Sequence, residues 1–142
     1  MPQGYARSQV PALVGLTRRQ VIYLAERGLV SPSVRGPSGR GSPTIYAYED
    51  LRRLAVIAAL TRLTRGEVVL EQARAALSAL ERLSDGPWGG QVLLLDGELA
   101  WVVEAGEVAT MLEHQPELIV IDLGRTESAL GVQLRRNNLM AA

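Results

Sequence analysis

Turn-forming residues cut this chain of 142 residues into short lengths. Gly15, Gly28 and Gly66 interrupt apolar-periodic stretches, 31–43 and 84–90 are rich in Gly, Pro and Ser, Asp96-Gly97 is a hairpin signal, and Pro116 stops the segment before it. Only short helices and strands fit between such breaks, and no run of about 18 apolar residues is present to form a membrane-crossing helix. With 47% apolar residues the chain can bury one good core or two small ones. Cysteine is absent, which removes disulfides and thiolate metal sites from consideration. The start reads as no secretory leader, so the expectation is a cytoplasmic protein.

Between the breaks, residues 8–14 suit a short helix capped by Ser8 with Pro11 in its first turn. Thr17 can cap a second helix that runs to Gly28, a residue suited to a left-handed stop. Val21, Leu24 and Ala25 share its inner face, leaving Arg18, Arg19, Gln20, Tyr23 and Arg27 mostly elsewhere. Two short helices joined by a tight turn make a helix-turn-helix. The loop 31–43, with Arg35 and Arg40, leads into a strand at 44–48, together predicting a β-hairpin wing. No GxxxxGK[ST] supports reading that loop as a phosphate cradle.

Glu49 and Asp50 then open a helix to about Arg65, and a further helix over 67–83 carries the stripe Val69, Ala73, Ala76, Leu77, Leu80 and Leu83. That stripe suits packing within the chain or against a partner helix. Past the junction at 84–90 the pattern predicts strands at 91–95 and 98–103 around the Asp96-Gly97 turn, a helix near 107–114, a buried strand at 118–123 and a short helix near 127–136. The fold class is α+β: a winged helix-turn-helix over 1–66, a connecting or dimerisation helix over 67–83, and a small hairpin, helix and strand domain over 84–142.

Charge follows the same division. Ten arginines face three acids in residues 1–66, whereas five arginines face twelve acids in the remainder, so a formal charge of zero conceals opposite halves. Such asymmetry points to a polyanionic partner for the front half. Arginines supply salt-dependent affinity by displacing counterions from phosphates, and a helix in the major groove supplies sequence information. By helix-turn-helix geometry the first residues of the second helix reach base edges, which selects Thr17, Arg18, Arg19 and Gln20, with Tyr23 one turn later as a phosphate contact or a half-buried ring. Arg35 and Arg40 in the wing would track the backbone or enter a minor groove, while Arg52 and Arg53 either touch phosphate or solvate their helix.

From Val10 to about Leu63 the chain resembles the DNA-binding domain of the mercury-resistance-regulator (MerR) family. The carrying residues are Gly15, Thr17, Arg18, Arg19 and Tyr23, then Glu26, Arg27, Gly28, Leu29 and Val30, and finally Tyr46, Glu49, Asp50, Leu51 and Leu54. Where that family shows an Arg-Tyr-Tyr-Glu run this chain has Ile22, Tyr23, Leu24 and Ala25, and Ala47 stands where a hydroxyl residue is usual. The family's long dimerisation helix and effector-binding tail are not visible, so the C-terminal domain is atypical. The resemblance implies a transcription regulator that binds double-stranded DNA as a homodimer on an inverted repeat, with RNA polymerase a further candidate partner. An excisionase-like architectural protein carries a similar wing and is the alternative.

No cofactor, metal or catalytic residue is expected. The lone His114 lies beside Glu113 in a predicted helix with no GxSxG setting. Asp96 is accounted for by its turn and Asp122 by the end of a strand. Trp88 and Trp101 read as packing residues before stacking surfaces for a small molecule.

Overall fold

The computed structural model describes residues 4–34, 44–83 and 85–139. In chain order the elements are β1 (Tyr5–Ala6), α1 (Val10–Val14), α2 (Arg18–Glu26), β2 (Ile45–Tyr46), α3 (Tyr48–Leu63), α4 (Leu70–Leu80), β3 (Gln91–Asp96), β4 (Leu99–Glu104), a 3₁₀ turn (Ala105–Glu107), α5 (Val108–His114), β5 (Ile119–Asp122) and α6 (Leu123–Arg136). This is the expected α+β class, with a helix-turn-helix in front and a small sheet behind.

Helix α2 is bounded by local chemistry. Thr17 Oγ1 accepts from the Gln20 N–H at 3.0 Å and Gln20 Oε1 accepts from the Thr17 N–H at 3.0 Å, a reciprocal cap that satisfies two donors at the helix start. At the other end Gly28 takes φ +71°, and the Leu29 N–H donates to the Leu24 carbonyl at 2.9 Å. Helix α1 starts later than expected: Ser8 does not cap it, and Gln9 instead reaches back, its Oε1 accepting from the Ala6 N–H at 3.0 Å.

Strand β2 has a partner that periodicity did not indicate. It pairs antiparallel with β1, Tyr5 opposite Tyr46 and Ala6 opposite Ile45, and both tyrosines are buried. Two aromatic side chains across a strand pair stabilise even a two-residue ladder. The expected wing tip at 35–43, with Arg35 and Arg40, lies outside the described residues. Helix α3 begins at Tyr48, and Ala47 has no oxygen to cap it. Asp50 Oδ2 supplies the capping by accepting from the Ala47 N–H at 2.8 Å, and it also accepts from Ser33 N at 2.9 Å and Ser33 Oγ at 2.6 Å, anchoring the loop after α2 to the start of α3.

The Tyr46 hydroxyl is buried without a hydrogen-bond partner among the described residues. An orphaned buried hydroxyl costs free energy that removing the group recovers. Tyr46→Phe is therefore expected to leave stability unchanged or raise it by about 1 kcal/mol, read from urea unfolding midpoints. Burial raises the pKa of Tyr5, Tyr46 and Tyr48 above the ordinary tyrosine value, with the Glu127 carboxylate adding to the effect at Tyr48. A raised folded-state value means that the neutral hydroxyls favour the fold fully below a pH of about 10 and that this contribution is lost as pH rises through the higher folded value. Loss of helical circular dichroism in alkali should thus coincide with a step in tyrosinate absorbance.

The C-terminal sheet has the order β4-β3-β5, antiparallel throughout. Asp96 lies opposite Leu99, so the two hairpin loop residues are Gly97 and Glu98 rather than Asp96 and Gly97. Gly97 takes φ +59° and Glu98 no positive φ, the pattern of a type II′ turn. Central strand β3 is buried on both faces, which explains its continuous Val92-Leu93-Leu94-Leu95 run. Leu93 and Leu95 face the main core; Val92 and Leu94 face a smaller cluster closed by Trp101, Met111 and Leu112. Strand β5 departs from expectation: it is a sheet edge with Val120 exposed, so only one of its faces is buried.

Helix α6 is longer than expected because Asp122 caps it, its Oδ1 accepting from the Arg125 N–H at 3.0 Å. Its buried Leu123, Leu130 and Leu134 join the same apolar cluster as Val10 and Leu13 of α1 and Leu54 and Ile57 of α3. Each leucine buried there contributes roughly 1.5–3 kcal/mol. The α4 stripe is used in the same way, with Ala73, Ala76, Leu77 and Leu80 buried within the chain.

Candidate nucleic-acid interface

At 100° per residue, Arg18, Ile22, Glu26, Arg19 and Tyr23 occupy one arc of α2, opposite Leu24 and away from Val21. Their exposure agrees. Val21 and Leu24 are fully buried, Arg18, Arg19 and Glu26 are exposed, and Ile22 and Tyr23 are half-buried. The five side chains line an open hollow of about 430 Å³. Arg27 extends the cationic surface and stacks over Tyr23, its guanidinium carbon 5.4 Å from the ring centroid. Since no acid pairs with Arg18 or Arg19 among the described residues, both are available to phosphates or guanine edges.

The other sequence-selected residues have different surroundings. The Thr17 hydroxyl is engaged in the helix cap. Gln20 turns away from the arc, its Oε1 held by the Thr17 N–H and its Nε2 donating to the Gly66 carbonyl at 3.0 Å, so it ties the start of α2 to the connection between α3 and α4. Arg35 and Arg40 lie outside the described residues. Sequence reasoning did not place Ile22 or Glu26 among the contact residues. The signal was there, one and two helical turns after Arg18.

Arg52 corrects an expectation outright: it neither faces solvent nor is free to meet phosphate. Its side chain is 2% exposed and packs on Trp88, 3.9 Å from the ring centroid. Nη1 donates to both Glu49 carboxylate oxygens and to the Asp85 carbonyl, each at 3.2 Å, and Nη2 donates to the Gly86 carbonyl at 2.9 Å and lies 3.3 Å from Glu127 Oε2. Glu127 Oε1 in turn accepts from the Trp88 N–H at 3.1 Å. Arg53 is half-exposed with an Asp50 carboxylate oxygen 3.7 Å away.

Trp88 is therefore a packing residue beneath Arg52, and Trp101 lines the smaller apolar cluster. His114 is exposed at the end of α5 with Nδ1 3.0 Å from the Thr110 carbonyl oxygen. Asp96 accepts from Gln115 Nε2 at 3.1 Å. Among the described residues no cluster could hold a metal ion, and no helix is long and apolar enough to cross a membrane.

Residues 5–66 match the sequence model of the MerR HTH family regulatory proteins, a span that begins at β1 and closes just after α3. This segment is a MerR-family helix-turn-helix domain. The MerR-type segment is accompanied by likeness over a longer stretch: the chain is 29% identical over 111 residues to an uncharacterised HTH-type transcriptional regulator of Mycobacterium tuberculosis strain H37Rv, and equally to one of Mycobacterium bovis. Those matches cover 78% of this chain and 48% of each relative, so the chain spans about half the length of the curated relatives it matches. Being longer than the MerR-type segment, the match reaches into the acidic half as well.

Proposed function

We infer that this chain is a sequence-specific DNA-binding transcription regulator, whose homodimer reads an inverted repeat in a promoter. The observation that carries this reading is the exposed α2 arc with Arg18 and Arg19 unpaired by acids among the described residues, within a segment of MerR type. In this reading Arg18 and Arg19 meet guanine edges or phosphates, Tyr23 contributes its hydroxyl to a phosphate, and Arg35 and Arg40 follow the backbone. Thr17 and Gln20 hold the N-terminal turn of α2 so that those side chains arrive in a fixed orientation. Residues 1–66 form the DNA-contacting unit, 67–83 the connection, and 84–142 an acidic module that repels the duplex and so confines contact to the front. That module is also the candidate surface for dimerisation, an effector or RNA polymerase.

Selection of bound sequences from a random duplex pool tests the reading. It expects recovered half-sites in inverted orientation, centred about one helical turn or a multiple apart, with affinity falling steeply as salt rises. An asymmetric site overturns the dimer, and absence of salt-sensitive duplex binding overturns the whole. A site that is bent while transcription from an adjoining promoter is unaffected marks an architectural protein instead.

A further inference from the structure

Ile22 stands out on the α2 arc. It is an apolar, β-branched side chain placed between Arg18 and Glu26 along the helix and beside Arg19 and Tyr23 around it. The core does not claim it. Val21 next to it is fully buried, whereas Ile22 stays half-exposed. It lies on the rim shared by two hollows, the one on the α2 arc and another of about 360 Å³ that opens toward Arg7, Pro32 and Thr44. Among the described residues no other apolar side chain lines the hollow on the arc apart from the Tyr23 ring.

Phosphates have nothing to offer a branched hydrocarbon among arginines, and hydrogen-bonding base edges offer little more. The one apolar group that a B-form duplex displays in its major groove is the 5-methyl of thymine. With Arg18 and Arg19 placing the arc against the duplex, Ile22 is the side chain within that arc able to bury such a methyl. We propose that Ile22 is a specificity-determining residue that selects thymine at one position of each half-site through its 5-methyl group. This rests on the DNA-binding reading above and adds a base and an atom to it.

The test uses the full chain and the duplex recovered by pool selection, with each thymine replaced in turn by deoxyuridine, which removes the methyl and leaves the pairing edge intact. One thymine per half-site is expected to lose about fourfold in affinity on replacement, the effect of one methyl-sized group leaving an apolar contact. Ile22→Ala should bind the thymine and uracil duplexes equally, while Ile22→Val, which keeps a branched methyl pair, should retain part of the discrimination. Uniform tolerance of deoxyuridine, or an unchanged methyl effect in Ile22→Ala, overturns the proposal while leaving DNA binding intact. If no duplex is selected at all, the underlying reading fails and this one with it.

Discussion

Replacing Arg52 by alanine is expected to lower the free energy of unfolding by about 3 kcal/mol, the lower end of the cost of removing one partner from a buried ion pair. The lower end applies because Glu49 and Glu127 are 42% and 22% exposed and can regain water when the guanidinium leaves. The Asp85 and Gly86 carbonyls lose their donor, and Trp88 loses the cation stacked on it. Urea unfolding followed by circular dichroism reads the stability change, and Trp88 emission should shift to longer wavelength as water enters. Arg52→Lys should recover less than half of the loss, because a single ammonium cannot fork to two carbonyls and lie flat on the indole. A stability change in Arg52→Ala below about 1 kcal/mol would mean that the guanidinium is not the bond holding residues 85–88 to α3 and α6.

Arg18→Ala combined with Arg19→Ala is expected to weaken binding to the selected duplex by about a hundredfold at physiological salt, from two arginine contacts each worth about 1–3 kcal/mol. Both side chains are exposed and neither caps α2, so the unfolding midpoint should stay within experimental reach of the parent. The slope of log affinity against log salt separates roles within the pair: each lost phosphate contact lowers its magnitude by about 0.9, whereas a lost base contact leaves it unchanged and relaxes preference at one position. Binding that survives the double replacement would remove α2 from the interface, whatever else the front half contacts.

Much of the architecture was legible wherever a few neighbouring residues settle the backbone. Thr17 announced the start of α2, Gly28 its end, and Pro116 the stop after α5. The β3 and β4 hairpin was visible although its loop sits one residue later than the Asp-Gly signal suggested, because cross-strand register and not the dipeptide decides which residues turn. Of the interface, the exposure of Arg18 and Arg19 followed from helical periodicity. The position of Gln20 did not: its polar side chain was as compatible with a groove as with the Gly66 carbonyl, and the choice lay 46 residues down the chain.

Arg52 shows the same limit in a stronger form. Its spacing in α3 is that of a residue at the edge of an apolar face, and an arginine there is ordinarily solvated. What buries it is the arrival of Trp88, two backbone carbonyls and Glu127 from chain segments 33 or more residues away in sequence. The β1 and β2 pairing is likewise a meeting of segments about forty residues apart: the strand at 44–48 was legible, but β1 is too short to declare itself as its partner through alternation.

By itself, then, the order of residues determined the helices and turns whose energies are paid within one or two turns of chain: caps, left-handed glycines, apolar stripes, and the division of charge between front and back. Tertiary structure alone decided which polar side chains became internal bonds and which stayed free to meet a partner. The physical reason is that an amide or guanidinium has the same local preferences in either role. Only the groups delivered to it by distant parts of the chain fix whether its hydrogen bonds close inside the protein or remain open to a ligand.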